Sequence, residues 1–165
     1  MATTSAMHAL LIQHELHTIL FRNVIEGVTD KDANTRINEA NHIAWLAGNL
    51  VSLRYKLVNA MGISIEQQFP ALFKNNKGIQ NGIVYPSLKN LEEDWNHISP
   101  ILEEKLGSMR EEELNDVQPF PIPALTDKTF FASLTFLLHR EAYGIGQIAL
   151  LRRVFGYEAM SYKVN

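Results

Sequence analysis

The sequence predicts an all-α fold: a four-helix bundle in a single domain, residues 1–165, with a long crossover connection between its second and third helices. Three observations predict it. Apolar residues recur three and four positions apart along four separate stretches. No stretch alternates with period two for long enough to form a strand, and the intervening segments are rich in Gly, Pro and Asn.

The first helix is expected from about Ser5 to Val28. Met7, Leu10, His14, His17, Phe21 and Val24 fall near one stripe, and Gly27 marks the end. The second is expected to start with Asn38 or Asn41 as its N-cap, since an Asn side-chain oxygen accepts from an unpaired backbone N–H. Ile43, Leu46, Ala47, Leu50, Leu53, Leu57 and Met61 then lead to Gly62, a natural C-terminal stop. On an adjoining face His42, Trp45, Asn49 and Ser52 line up three and four apart.

From Ile63 to Tyr85 the periodicity dissolves, giving a connection longer than compact domains usually carry unless it crosses the fold or lines a site. Pro86 and Ser87 open the third helix, whose seam is Leu88, Leu91, Trp95, Ile98, Leu102 and Leu106. Pro100 inside it predicts a kink near Asn96, and Gly107 ends it. A second loop, QPFPIPAL, leads through Thr126 or Asp127 into the fourth helix. That helix carries Phe130, Leu134, Leu138, Ile145, Ile148 and Phe155, is apolar on more than one face, and is therefore expected to be buried on several sides. Gly144 and Gly146 lie inside it, each costing about 0.5–1 kcal/mol relative to alanine.

Composition narrows the function. The chain is 46% hydrophobic and 20% charged with a net charge of −3, and its basic residues are scattered, so direct nucleic-acid contact is not expected. There is no cysteine, which removes disulfides, thiolate metal sites and a cysteine nucleophile. The first twenty residues lack the features of a secretory signal, and no apolar run reaches the roughly 18 residues of a membrane span, so a cytoplasmic protein is expected.

The strings NHIAWLAGNL in the second helix and EAYGIGQIALLRR in the fourth together resemble the DinB-like superfamily. These are bacterial four-helix bundles that include YfiT-type proteins and thiol-dependent transferases, associated with DNA-damage induction. FPALF, YPSL and PFPIP are similar too, and the strongest motif is Y-x-x-G-Q followed by L-R-R. The resemblance implies a homodimer and a divalent-metal site between the second and fourth helices. Its ligands would be one histidine four residues after the helix-two tryptophan and an H-x-x-x-H pair whose second member follows the tyrosine.

None of those three ligands is present: after Trp45 the position is Asn49, and around Tyr143 the positions are Arg140 and Gly144. A carboxamide, a guanidinium and a glycine cannot replace three imidazoles, and Arg140 would put a cation where the dication should be. His139 cannot substitute, because a one-residue slip turns a side chain by about 100°. His42 is a better spare, yet with Asn49 alone it makes a poor site, so neither zinc nor nickel is expected as a cofactor. The superfamily's low-molecular-weight thiol stays unassigned.

Other features have structural explanations. His14 and His17 supply only two ligands, and H-E-L-H is not H-E-x-x-H, so they are expected to be hydrogen-bonded core residues. Trp45 and Trp95 are expected to be core anchors, Glu111 to Glu113 a solvated helix start, and Arg152 and Arg153 to complement a helix C-terminus.

Three functions compete. A thiol-dependent transferase or metal-dependent hydrolase of the DinB/YfiT type would need a nucleophile that this chain does not obviously supply. A structural or regulatory dimer would act through its surface. The preferred reading is a metal-free protein that binds a small anionic ligand in a pocket of His42, Trp45, Asn49, Arg140, Tyr143, Gly144 and Gln147, with the Arg140 charge standing in for the metal. Gly144 is expected to leave room for Arg140, and Gly146 to admit a neighbouring helix.

Overall fold

Ser5 accepts from the His8 N–H at 3.1 Å and so caps the first helix, α1 (Ala6–Ile25); Gly27, with φ +73°, takes the left-handed turn that follows. A computed structural model describes residues 5–120 and 122–163, Asn76 by its backbone alone. Pro121 of the proline-spaced loop lies outside the described residues. Thr29 caps a short helix, α2 (Asp30–Ala33), which the periodicity did not reveal because one turn is too short to repeat a pattern.

The second long helix is α3 (Ile43–Ala60), and its N-cap is neither Asn38 nor Asn41 but His42. The reason is geometric: His42 Nδ1 accepts from the Trp45 N–H at 3.0 Å, while Asn38 takes φ +49° in the preceding turn. The connection that follows is not wholly irregular, since Pro70 starts α4 (Pro70–Phe73) and a 3₁₀ turn covers Lys74–Asn76. Ser87 caps α5 (Leu88–Ser108), which continues as helix through Pro100. Pro100 has no N–H to offer the Asn96 carbonyl one turn earlier, and Asn96 lies on an exposed part of the helix. The last helix, α6 (Phe130–Val154), is capped by Thr129 rather than Thr126 or Asp127; Asp127 instead accepts from the Thr129 N–H at 2.8 Å in the turn before it.

The described residues thus form an all-α structure, with a single isolated bridge, Val117 to Thr129, as its only extended pairing. Each of α1 and α3 packs against both α5 and α6. Cross-helix bonds give the directions. His17 meets Glu141 and Val24 meets Arg152, so α1 and α6 run the same way. Thr18 meets Trp95 and His14 meets Ser99, so α5 runs against α1. Arg54 meets Glu141 while Leu50 lies against Gly144, so α3 runs against α6.

The apolar seams converge on one core in which Phe21, Ile43, Trp95, Ile98 and Leu134 are fully or almost fully buried. Both tryptophans are core residues as expected. Arg152 also does what a cation near a helix C-terminus should do, but for a different helix: its Nη1 donates to Val24 O at 3.1 Å and Glu26 O at 2.6 Å, satisfying the last carbonyls of α1. No helix among the described residues is long and apolar enough to cross a membrane.

Candidate functional site

The seven residues expected to line one pocket are distributed over three environments. His42 is buried at the α3 N-terminus, edge-on to Tyr85 at 4.9 Å. Because its Nδ1 accepts a backbone N–H, that nitrogen carries no proton, and burial lowers its pKa further. It is a neutral cap, not part of a cationic lining. Trp45 is buried in the core, with no hydrogen-bond partner for Nε1 among the described residues.

Arg140, Tyr143 and Gln147 share an outer strip of α6. Tyr143 is 53% exposed, the Arg140 guanidinium lies 5.8 Å from its ring centre, and Gln147 Nε2 donates to the Tyr143 hydroxyl at 3.3 Å. Arg140 is only half-buried, so it does not carry the cost of an enclosed charge that would demand an anion.

Neither glycine has the role expected of it. A Cβ on Gly144 would come within 2.8 Å of Leu50 Cδ2, so Leu50, not Arg140, fills the space that Gly144 leaves. Gly146 faces outward with nothing within 4 Å of where its Cβ would stand, so no other helix among the described residues approaches it. The place where the superfamily's resemblance implied a ligand on α6 is therefore packed leucine. Among the described residues no group of three or more His, Asp or Glu side chains comes together in a way that could hold a metal.

What lies at the centre instead is a buried ion pair. Arg54 and Glu141 are both 0% exposed and bond as a fork, Nε to Oε1 at 2.6 Å and Nη2 to Oε2 at 3.0 Å. Arg54 Nη1 donates to Thr18 Oγ1 at 2.8 Å and Ser99 Oγ at 2.6 Å, and the guanidinium lies 3.6 Å from the centre of the Trp95 ring. Trp95 stacks in turn on Phe21. His17 Nδ1 donates to Glu141 Oε2 at 3.1 Å, since a carboxylate only accepts.

His14 Nε2 donates to Ser99 O at 3.2 Å, which leaves its buried Nδ1 lone pair with no partner among the described residues. Burial first, and the nearby Arg54 charge second, lower the His14 pKa to about 4. Burial alone would raise the Glu141 carboxyl, but the Arg54 guanidinium and the His17 N–H override it and hold the group well below the usual carboxylate range. All four long helices meet in this network. His14 and His17 are thus the hydrogen-bonded core residues expected of them.

Sequence reasoning missed Arg54 and Glu141. The available signal was a charge on an apolar seam: Arg54 follows Leu50 by four and precedes Leu57 by three, and Glu141 stands between Leu137 and Ile145 at spacings of four. Two opposite charges on two inward seams identify each other.

An open cleft of about 800 Å³ lies between α3 and the connection that follows it. Its polar lining includes Asn49, Ser52, Lys56 and Lys74, and its apolar lining Leu53 and Phe73. Of the seven expected pocket residues it contains only Asn49. The connection is clamped over α3 by Asn59, which donates to Ile65 O at 2.7 Å and accepts from Ile65 N at 3.2 Å, and by Gln67, which donates to Ser52 Oγ at 3.2 Å. Buried Asp94 accepts from the Tyr55 hydroxyl at 3.2 Å and the Gln68 N–H at 3.0 Å, and burial with Asp94 raises the Tyr55 pKa so that it stays a donor.

Phe73 seats its ring on Gly48, where any Cβ would collide with the ring atoms. Gly48→Ala is accordingly expected to cost about 1–3 kcal/mol by overpacking and to loosen the connection from α3. Urea unfolding and limited proteolysis between residues 64 and 80 check this; unchanged stability and unchanged protection would mean that the seat is not needed.

The two cleft lysines differ. Lys74 is 3.6 Å from Glu66, whereas Lys56 has no acidic partner among the described residues and rests 4.5 Å from the centre of the Phe120 ring. The Asn49 amide is also without a hydrogen bond among the described residues. The arrangement offers a cation, an amide and an apolar wall to a small molecule. No family model matches this chain, and no curated protein sequence matches it significantly.

Proposed function

We propose that this protein is a DinB/YfiT-like four-helix bundle, with a crossover between α3 and α5, that binds a small anionic molecule without a metal. The parallel course of α3 and α5, derived from the cross-helix bonds, supports the crossover, because a chain leaving the end of α3 must travel the length of the bundle to begin α5. The binding site is the cleft beside α3 rather than the α3–α6 interior. The observation that carries the reading is the Lys56 ammonium, unpaired among the described residues and lining the same cleft as the unengaged Asn49 amide and Leu53.

Such a site suits a carboxylate or phosphate group with a modest apolar body. The head would take a charge-assisted hydrogen bond from Lys56 and a second from Asn49, and the body would cover Leu53 and Phe73. Amide chemical shifts followed during titration with inorganic phosphate, acetate and benzoate test this. Residues around Asn49 and Lys56 are expected to shift, and Lys56→Met to weaken binding about tenfold or more, as the loss of a charged hydrogen bond implies. Arg140→Met is expected to leave affinity unchanged. Shifts centred on Arg140, or none with any of the three anions, would sink the reading.

A further inference from the structure

The cleft beside α3 has the reverse of the usual composition. Small-molecule sites are mostly apolar walls with a few polar groups, whereas here only Leu53, Ile65, Pro70 and Phe73 are apolar and every other lining side chain is polar. Phe73, 3% exposed with its ring seated on Gly48, has no free face on which a planar ring could stack. The charges nearly cancel as well. Lys74 is paired with Glu66, which leaves Lys56 as one cation in excess on a wall of neutral amides and hydroxyls.

Some of those groups are used by the fold. Asn59 Nδ2 donates to Tyr55 O and to Ile65 O, both at 2.7 Å, its Oδ1 accepts from Ile65 N, and the Tyr55 hydroxyl belongs to Asp94. Others are not. Among the described residues the amides of Asn49 and Asn75 and the Ser64 hydroxyl make no hydrogen bond. Ser52, which accepts from Gln67, keeps its O–H to donate, and Gln67 keeps its side-chain carbonyl to accept. The chemistry that matches such a wall is narrow. Amides and hydroxyls donate and accept from the same small area, as an alcohol does, whereas a carboxylate only accepts, an ammonium only donates and a hydrocarbon does neither.

On the anion site proposed at Lys56 and Asn49 a narrower assignment rests: we infer that the body of the ligand is polyhydroxylated, a sugar carrying a single phosphate or carboxylate. Its anionic group meets Lys56 and Asn49, and its hydroxyls meet Ser52, Ser64, Gln67 and Asn75. The C–H face that a sugar ring also presents covers Leu53. A second anionic group finds no free cation, since Lys74 already has Glu66. The Asn59 and Gln67 clamps hold the two walls in place beforehand, which limits the ordering that binding requires.

Amide-shift titrations with glucose 6-phosphate, gluconate, inorganic phosphate, acetate, benzoate and uncharged glucose test this. Glucose 6-phosphate is expected to bind about tenfold or more tightly than inorganic phosphate, or gluconate by that margin over acetate, the factor that two or three added hydrogen bonds supply. Whichever pair shows the margin identifies the anionic group, and glucose itself is expected to bind more weakly than either derivative. In the variant carrying both Ser64→Ala and Asn75→Gly, which leaves the φ of +58° at residue 75 accessible, the margin should fall to about threefold or less while phosphate and acetate bind as before. Shifts at Asn49 and Lys56 with phosphate, acetate or benzoate, but no margin for either sugar derivative, overturn the sugar assignment and leave the anion site standing. Benzoate binding more tightly than both sugar derivatives does the same, and so does a margin that survives in the folded double variant. Should that variant fail to fold, the wild-type comparison alone decides. The absence of shifts with every anion overturns the anion site and the sugar assignment together.

Discussion

Replacing Glu141 with alanine is expected to destabilise the protein by about 3–5 kcal/mol, the cost of leaving a buried charge without its partner. The Arg54 guanidinium would lose both fork bonds and His17 its acceptor, in a site where all the other partners of Arg54 are neutral hydroxyls and an indole face. The pair itself contributes much less than the cost of breaking it, because enclosing two ions forfeits their hydration. Arg54→Met combined with Glu141→Leu should therefore recover most of the loss. Urea denaturation of Arg54→Met, Glu141→Leu and the variant that carries both gives the coupling directly. Singles that cost under 1 kcal/mol, or a double variant no more stable than either single, would mean that the network does not anchor the four helices.

Lowering the pH from 7.5 to 4 is expected to remove about 3 kcal/mol of stability through His14 alone, because its pKa is near 4 in the fold against 6.5 in the unfolded chain. The sign follows from proton counting. Between those two values the unfolded chain holds a proton that the folded chain refuses, so acid favours unfolding, with the loss complete near pH 4. His42 acts in the same direction, since its pKa is also lowered and protonating Nδ1 would abolish the α3 cap. Glu141 extends the effect to lower pH. Its folded pKa lies below the unfolded value, so its contribution is present above about 4.5 and is lost as pH falls further.

Unfolding midpoints at pH 7.5, 6, 5 and 4 measure this limb. In His14→Gln, whose amide can still donate to Ser99 O, the segment between pH 6.5 and 4 should flatten. An equally steep limb in that variant would assign the acid sensitivity to other groups.

How much of this was legible beforehand depends on the range of the interaction. The helices were readable because a 3.6-residue period is a local property, as were Ser5, Ser87, Gly27 and Gly62 at their ends. The shift of the α3 cap from Asn41 to His42 marks the limit of that reading, since several neighbouring side chains can serve as caps and packing against Tyr85 favours one of them. The absence of the three histidines was also plain in the sequence. The further step, that Arg140 would turn inward to replace them, was not warranted, because a change of residue on one helix says nothing about the rotation of that helix against its neighbours.

The sequence alone thus determined the all-α class, the extents of the long helices to within a few residues, and the absence of histidine at positions 49, 140 and 144. Tertiary structure alone decided that Leu50 fills the space at Gly144, that Arg54 meets Glu141, that Phe73 sits on Gly48, and that Gly146 faces outward. The physical reason is the same in each case. Helical periodicity is set by bonds four residues apart, but which side chains stand opposite one another is set by helix rotation and register, which depend on how the whole core packs.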